Sequence, residues 1–200
     1  YYKGITLERL QKEKFIHLDL GSSVPVRSGG KCGTPSGKIE LYSEIMKKAG
    51  FDPVIDLRTC EEEMPEVERK LPFRMLSPGI PQRVNSSFYN VKYIRAFNAY
   101  ECEINPVDAK SRGIANGDVV LVKNKRGAIL AGAYVTERIM PGVVVVHHGA
   151  WYDPQKTHEG WIDVHGNSNT LTMDEPTSNL ACGNIASTAL VEVTKWKGDL

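Results

Sequence analysis

The chain has 200 residues, 41% hydrophobic and 24% charged, with 25 lysines and arginines against 24 aspartates and glutamates. That composition suits a soluble globular protein of one domain, or one domain with an appendage, able to bury a core without disulfides. A net charge of +1 leaves no electrostatic footprint for nucleic acid, and no apolar run approaches the roughly 20 residues that span a bilayer, so neither a nucleic-acid partner nor direct membrane insertion is expected.

The opening "YYKGITLERLQKEKF" has no signal-peptide pattern and reads as a chain already under way, so a fragment of a longer protein is expected. Within it, "ITLERLQKEKF" predicts one short helix with Ile5, Leu7, Leu10 and Phe15 on one side. "GSSVPVRSGGKCGTPSGK" is punctuated by glycine and proline and predicts a loop. "KIELYSE" alternates Ile39 and Leu41 with Lys38 and Glu40 and predicts a short strand. Ser43 is placed to cap a helix through Lys48, ended by Gly50. "TCEEEMPEVERKLP" reads as a solvated, charged connector closing at Pro72. Residues 1–72 are therefore expected to be an irregular α/β extension, the tail of a preceding domain plus its connector.

From Phe73 to the end, 73–200, the texture is that of one compact β domain. "PFRMLSP" predicts a strand. Asn105 as N-cap, Pro106 at the first helical position and Gly113 as a left-handed stop delimit a helix of barely two turns. "VVLV" and "AILAGAYVT" predict a hairpin across "NKRG". The valine run from Val143 and the alternating "ALVEVTK" predict two more strands. Short strands, tight turns and brief helices suggest a closed barrel, which removes exposed sheet edges.

The cysteines, Cys32, Cys60, Cys102 and Cys182, form no C-x-x-C pair, so neither a zinc ribbon nor an iron–sulfur ligand run is encoded, and free thiols are expected. No P-loop, Gly-x-Gly-x-x-Gly or Gly-x-Ser-x-Gly fingerprint occurs, and no nucleophile–base pair stands out, so no catalytic residue is assigned.

Four segments do not look like core. "LSPGIPQRVNSS" (76–87) offers the hydroxyls and amides of Ser77, Asn85, Ser86 and Ser87, backbone N–H at Gly79, and Arg83, whose guanidinium can fork onto a phosphate. An ordinary polar surface loop has the same composition, so this loop alone decides nothing. "VVVVHHGAWYDP" (143–154) ends a strand in His147 and His148. Neighbours on a strand point to opposite faces, so the two are not expected to chelate one metal. One histidine is expected to face the interior and one a ligand, with Gly149 admitting close approach and Trp151 and Tyr152 stacking on the site or serving as core. "HGNSNTLTMDEPTSNLACGN" (165–184) is long and rich in asparagine, whose amides donate and accept together and suit purine or pterin edges. "TPSGKIEL" (34–41) is expected to be structural.

The ordered set "TPSGKIELYSE", "INPVDAKSRGIANGDVVLVKNKRGAILAGAYVTERIMPGVV", "GAWYDP" and "LTMDEPTSNLACGN" resembles the C-terminal part of the molybdopterin oxidoreductases, most closely the dimethyl sulfoxide, trimethylamine N-oxide and biotin sulfoxide reductase group. Order and spacing match from about Thr34 to the end.

The resemblance implies a double-psi β-barrel that grips the dinucleotide tails and pterins of a bis-molybdopterin guanine dinucleotide cofactor carrying molybdenum or tungsten. It implies contacts from Ser77, Pro78, Gly79, Pro81, Arg83, Asn85 and Ser86 in the first loop. His147, His148, Gly149, Ala150, Trp151 and Tyr152 follow in the second, and Asn169, Thr170 and Asn184 in the third. The metal-ligating side chain and any iron–sulfur motif would lie upstream, so the resemblance assigns no metal ligand here and no turnover to this chain alone. Its partners would be the remaining domains of a catalytic subunit, with an iron–sulfur electron-transfer subunit left open.

The chain departs from many relatives in having Gly79 and Asn85 where histidine is common, and Ser87 and Cys182 where glutamine is common. A non-enzymatic adaptor on the same barrel is the alternative reading, since fold does not dictate function.

Overall fold

The computed structural model describes residues 2–19, 32–54, 71–97, 102–176, 180, 182–185 and 187–198, with backbone alone at 95–97. The chain forms two compact units, Tyr1–Asp56 and Leu57–Leu200.

In the first unit, α1 (Leu7–Glu13) starts at Thr6, whose hydroxyl accepts from the Arg9 amide. The second helix, α2 (Glu44–Lys48), starts at Ser43, which accepts from the Met46 amide at 3.2 Å. Both caps satisfy a first-turn N–H that has no partner inside the helix. Gly50 follows at φ +81, the left-handed stop.

The strand expected in "KIELYSE" does not form. Ile39 and Leu41 are 76% and 89% exposed. The preceding residues instead close on themselves. The Cys32 amide donates to the Gly37 carbonyl, the Thr34 hydroxyl to the Lys38 carbonyl, and the Ser36 amide to the Glu40 carboxylate. Serine, threonine and carboxylate side chains here take the backbone groups that a strand partner would need. The charged connector read at 59–72 falls almost wholly outside the described residues.

Among the described residues the second unit is built on eight strands: β1 (Phe73–Leu76), β2 (Cys102–Ile104), β3 (Val119–Lys123), β4 (Ala128–Val135), β5 (Val143–Val146), β6 (Pro154–Thr157), β7 (Gly160–Asp163) and β8 (Leu190–Lys195). Their order is β2-β5-β1-β8-β3-β4, and β4 pairs back onto β2. The result is a closed six-stranded barrel in a mainly β fold, the double-psi β-barrel architecture. Two pairings are parallel, β1 with β5 and β2 with β4, and the other four are antiparallel. The β6–β7 hairpin hangs outside the ring on β4. Neither it nor α3 (Lys92–Phe97) was expected from the sequence.

Alternation along the strands explains the closure. Val120 and Val122 of β3, Val144 and Val146 of β5, and Val191 and Val193 of β8 point inward with Phe73, Met75, Ile104 and Ile129 to form one core. The opposite face of β3 and β4 is covered as well. Leu121 and Leu130 pack with Ile162 of the hairpin, flanked by Trp196. Each fully buried aliphatic side chain contributes about 1.5–3 kcal/mol relative to exposure, so these two layers account for an ordered barrel without disulfides. Cys32, Cys102 and Cys182 form no disulfide; Cys60 lies outside the described residues.

The six-residue helix α4 (Pro106–Ser111) joins β2 to β3. Asn105 caps it, accepting from the Val107 amide at 2.9 Å while its own amide donates to the Ile139 carbonyl at 2.6 Å.

Candidate functional site

Parallel pairing of β1 and β5 carries the loops that follow both strands to the same end of the barrel. The loop after β7 joins them there. Together they surround a cavity of about 540 Å³ lined by Ser77, Asn85, Ser86, His148 to Tyr152, Asn167, Asn169 and Asn184. That volume is in the range of ligand-binding clefts.

The first wall is the loop from Ser77 to Ser86. It is fastened by the residues that end β5. The Ser77 hydroxyl donates to the Val146 carbonyl at 2.9 Å, and the His148 amide donates to the Pro78 carbonyl at 3.1 Å. The His148 ring spans the loop, with Nδ1 2.9 Å from the Ser77 carbonyl and Nε2 3.1 Å from the Asn85 side-chain oxygen. The His147 ring turns the other way, with Nε2 3.1 Å from a Glu103 carboxylate oxygen and Nδ1 3.3 Å from the Pro78 carbonyl. The adjacent histidines therefore act as two staples on opposite sides of one strand end. Only His148 reaches the cavity lining.

Gly149 makes this wall sterically possible. Its φ is +101, and a Cβ there would fall 2.1 Å from the Asn85 carbonyl oxygen. Trp151 closes the join by donating from Nε1 to the Ser86 carbonyl at 2.8 Å.

Arg83 lies beneath this wall, outside the cavity lining. It is 6% exposed, with its guanidinium 5.1 Å from the Tyr89 ring centroid and one N–H directed at the His148 carbonyl at 3.4 Å. Its Nε and Nη1 have no hydrogen-bond partner among the described residues. Tyr89 in turn contacts Trp151 at 6.0 Å between centroids and directs its hydroxyl to the His165 carbonyl at 3.3 Å.

The second wall is the turn Asn167–Leu171, which contains a short 3-10 segment, Ser168–Thr170. Asn167 caps it, accepting from the Asn169 amide at 3.0 Å. Asp163, at the end of β7 and 1% exposed, organises the approach. One carboxylate oxygen accepts from the Asp153 amide at 2.7 Å and the other from the Asn167 amide at 2.5 Å. One buried side chain thus ties the segment leaving the first wall to the start of the second. Thr170 faces away from the cavity, with its methyl against Gly127.

Of the residues singled out from sequence, ten line the cavity: Ser77, Asn85, Ser86, His148, Gly149, Ala150, Trp151, Tyr152, Asn169 and Asn184. Pro78, Gly79, Pro81, Arg83, His147 and Thr170 do not. Pro78 and His147 support the first wall through the contacts above, and Gly79 sits against the His148 ring. Sequence reasoning missed Asn167 as a lining residue and Asp163 altogether. Asn167 carries a legible signal, an asparagine two residues before an amide that it caps. Asp163 carries none, because a single carboxylate at a strand end reads as surface.

Among the described residues no carboxylate lines the cavity. Its groups are amides, a histidine ring, serine hydroxyls and two aromatic faces, with an incompletely paired guanidinium behind one wall. Such a lining fits an anionic, heteroaromatic ligand, since nothing in it repels a phosphate and the asparagines can both donate and accept. Among the described residues no group of three histidine, cysteine or acidic side chains is placed to hold a metal ion, and no helix is long and apolar enough to cross a membrane.

A closed barrel with a neutral polar cavity at one end of its strands defines a ligand-binding β-barrel domain. A sequence model of the Molydopterin dinucleotide binding domain matches residues 73–190, and the chain belongs to that family. Among curated relatives, the dimethyl sulfoxide/trimethylamine N-oxide reductase of Cereibacter sphaeroides is 40% identical over 176 residues, covering 83% of this chain and 21% of that protein. The trimethylamine-N-oxide reductase 1 of Escherichia coli (strain K12) is 40% identical over 179 residues, with the same shares covered. The trimethylamine-N-oxide reductase of Haemophilus influenzae (strain ATCC 51907 / DSM 11121 / KW20 / Rd) is 37% identical over 174 residues, again with 83% and 21% covered. The chain thus spans about a fifth of the length of these relatives. Among solved structures, the acetylene hydratase from Pelobacter acetylenicus shares the fold, with a TM-score of 0.63 at 22% identity over 84% of this chain and 25% of that one.

Proposed function

We propose that this chain is the cofactor-gripping part of a molybdenum- or tungsten-dependent oxidoreductase of the S-oxide or N-oxide reductase type, and that it binds the guanosine dinucleotide tails and pterin edges of bis-molybdopterin guanine dinucleotide. The observation that carries this reading is that the residues matched to the family enclose a cavity whose described lining is amides, hydroxyls, a histidine and aromatic rings, without a carboxylate. The names of the relatives support the reaction class.

Each wall has a part in the reading. Ser86, Asn85 and the backbone around Gly149 meet one section of the dinucleotide. Asn167, Asn169 and Asn184 offer paired donors and acceptors to a purine or pterin edge. Trp151 and Tyr152 present aromatic faces at the rim, and Arg83 lends positive charge from beneath, almost wholly shielded from solvent. When bound, the cofactor supplies the oxygen-atom transfer chemistry; this chain orients it and excludes water from its tails. The rest of a larger catalytic subunit would close the cavity and supply the metal ligand and substrate funnel, so the chain alone has no turnover. An iron–sulfur electron-transfer subunit is a further partner under this reading.

Equilibrium dialysis with GDP, using ATP as control, tests it. GDP is expected to bind and ATP to bind at least about tenfold more weakly, the discrimination that a site hydrogen-bonded to one base edge provides. Equal affinity for the two nucleotides would reduce the cavity to a generic phosphate site and overturn the guanosine assignment.

A further inference from the structure

We infer that Asn124, Arg126 and Gly127, in the turn between β3 and β4, are positioning residues for the second wall of the cavity. The inference deepens the nucleotide-binding reading and rests on it for its effect on affinity, but not for its effect on the wall itself.

The turn Asn167–Leu171 is held from outside at both ends. Asp163 fixes its first amide, as described above. At its far end two side chains converge on one carbonyl. The Asn124 side-chain amide donates to the Leu171 carbonyl at 2.8 Å and to the Leu190 carbonyl at 3.1 Å. Arg126 Nε donates to the same Leu171 carbonyl at 2.8 Å. Asn124 also accepts from the Arg126 amide at 2.9 Å, which locks the two donors to each other. Gly127 completes the seat. A Cβ there would lie 2.6 Å from the Thr170 methyl and 3.1 Å from the Thr170 carbonyl oxygen. The Leu171 side chain is fully buried in the barrel core, so the turn cannot slide inward.

None of the three residues lines the large cavity. They line a separate one of about 250 Å³ on the hairpin side of β3 and β4. Whatever they do to a ligand in the large cavity is therefore indirect. Their hydrogen bonds end two residues from Asn169, whose side chain lies in the cavity lining. A wall fixed before binding loses less freedom when the ligand arrives, which strengthens binding without a new contact.

The test uses the isotopically labelled chain, first free of ligand and then with GDP. Asn124→Ala removes both donated bonds. Arg126→Lys removes the Nε bond to the Leu171 carbonyl, and Gly127→Ala pushes on Thr170 while leaving the other residues intact. In the ligand-free chain each is expected to move the amide resonances of Asn167 to Leu171 and leave those of Ser77 to Ser86 in place. With GDP, Asn124→Ala is expected to weaken binding about fivefold, the worth of roughly one net hydrogen bond. Arg126→Lys carries the test should Asn124→Ala fail to fold. Unmoved resonances at Asn167 to Leu171 in the folded variants would overturn the inference. So would equal movement of both walls, which means general loosening. If GDP leaves every resonance of the unsubstituted chain unchanged, the nucleotide reading fails on its own, while the ligand-free comparison still decides whether the turn positions the wall.

Discussion

The wall at Ser77–Ser86 and the wall at Asn167–Leu171 present the same kinds of group, amides and hydroxyls, but they are fastened differently. The first is an exposed loop stapled at its carbonyls by His147, His148 and Trp151, side chains from the end of one strand. The second is a short turn held by a buried carboxylate at one end and by Asn124 and Arg126 at the other. The bonds of His147 to Pro78 and of Trp151 to Ser86 are exposed to water and contribute little each, whereas those of Asp163, Asn124 and Arg126 to the second wall are part-buried and cost more to break because a group is left unsatisfied. The first wall is therefore expected to yield locally, and the second to yield only with part of the domain.

The substitution with the largest expected effect strikes the closest backbone approach in the first wall. Gly149→Ala places a methyl group against the Asn85 backbone at a positive φ. It is expected to cost at least about 3 kcal/mol in urea unfolding, and to detach the first wall more than the second. Asp163→Asn is expected to cost about 2 kcal/mol, because an NH₂ group then faces one of the two backbone N–H donors. Hydrogen exchange at the Asp153 and Asn167 amides should rise together, which separates this carboxylate from any staple of a single wall.

A third expectation concerns the barrel beneath both walls. Burial, with a smaller contribution from the charge on Glu103, pushes the Cys102 thiol up to about 12 from its ordinary 9.0. The folded value is raised, so the unfolded chain ionises first. Stability is full below the unfolded value and declines as pH rises toward the folded one. Between about pH 8 and about pH 10 the loss should be about 1 kcal/mol, absent in Cys102→Ala. In the native chain, a thiol reagent should label exposed Cys182 and leave Cys102 unmodified. The smallest effect is expected from Trp151→Phe. It removes one half-exposed hydrogen bond to Ser86 and should cost about 0.5 kcal/mol, with changes confined to the first wall.

The same contrast explains what the sequence made legible. The barrel strands could be read because alternating valines, turn glycines and the Asn105–Pro106 start are local signals with fixed spacing. The first wall could be read because its residues are consecutive and unlike core. "KIELYSE" misled because alternation is only half of a strand; the other half is a partner, and nearby serine, threonine and glutamate side chains took those backbone bonds first. The hairpin at Pro154–Asp163 was hidden by its charged, exposed composition. Asp163, Asn124 and Arg126 were silent because their importance lies in which distant carbonyl or amide they meet, and no local pattern encodes that. Arg83 was singled out for a guanidinium that can fork onto a phosphate, but the fold places it under the wall instead of in the cavity.

The most direct test of the central claim, that the two walls together grip one guanosine dinucleotide tail, is an NMR titration of the labelled chain with GDP. The account predicts that resonances of Ser77 to Ser86, His148 to Tyr152 and Asn167 to Asn169 move with a single shared dissociation constant. Shifts confined to one wall, or two walls titrating with different constants, would contradict it.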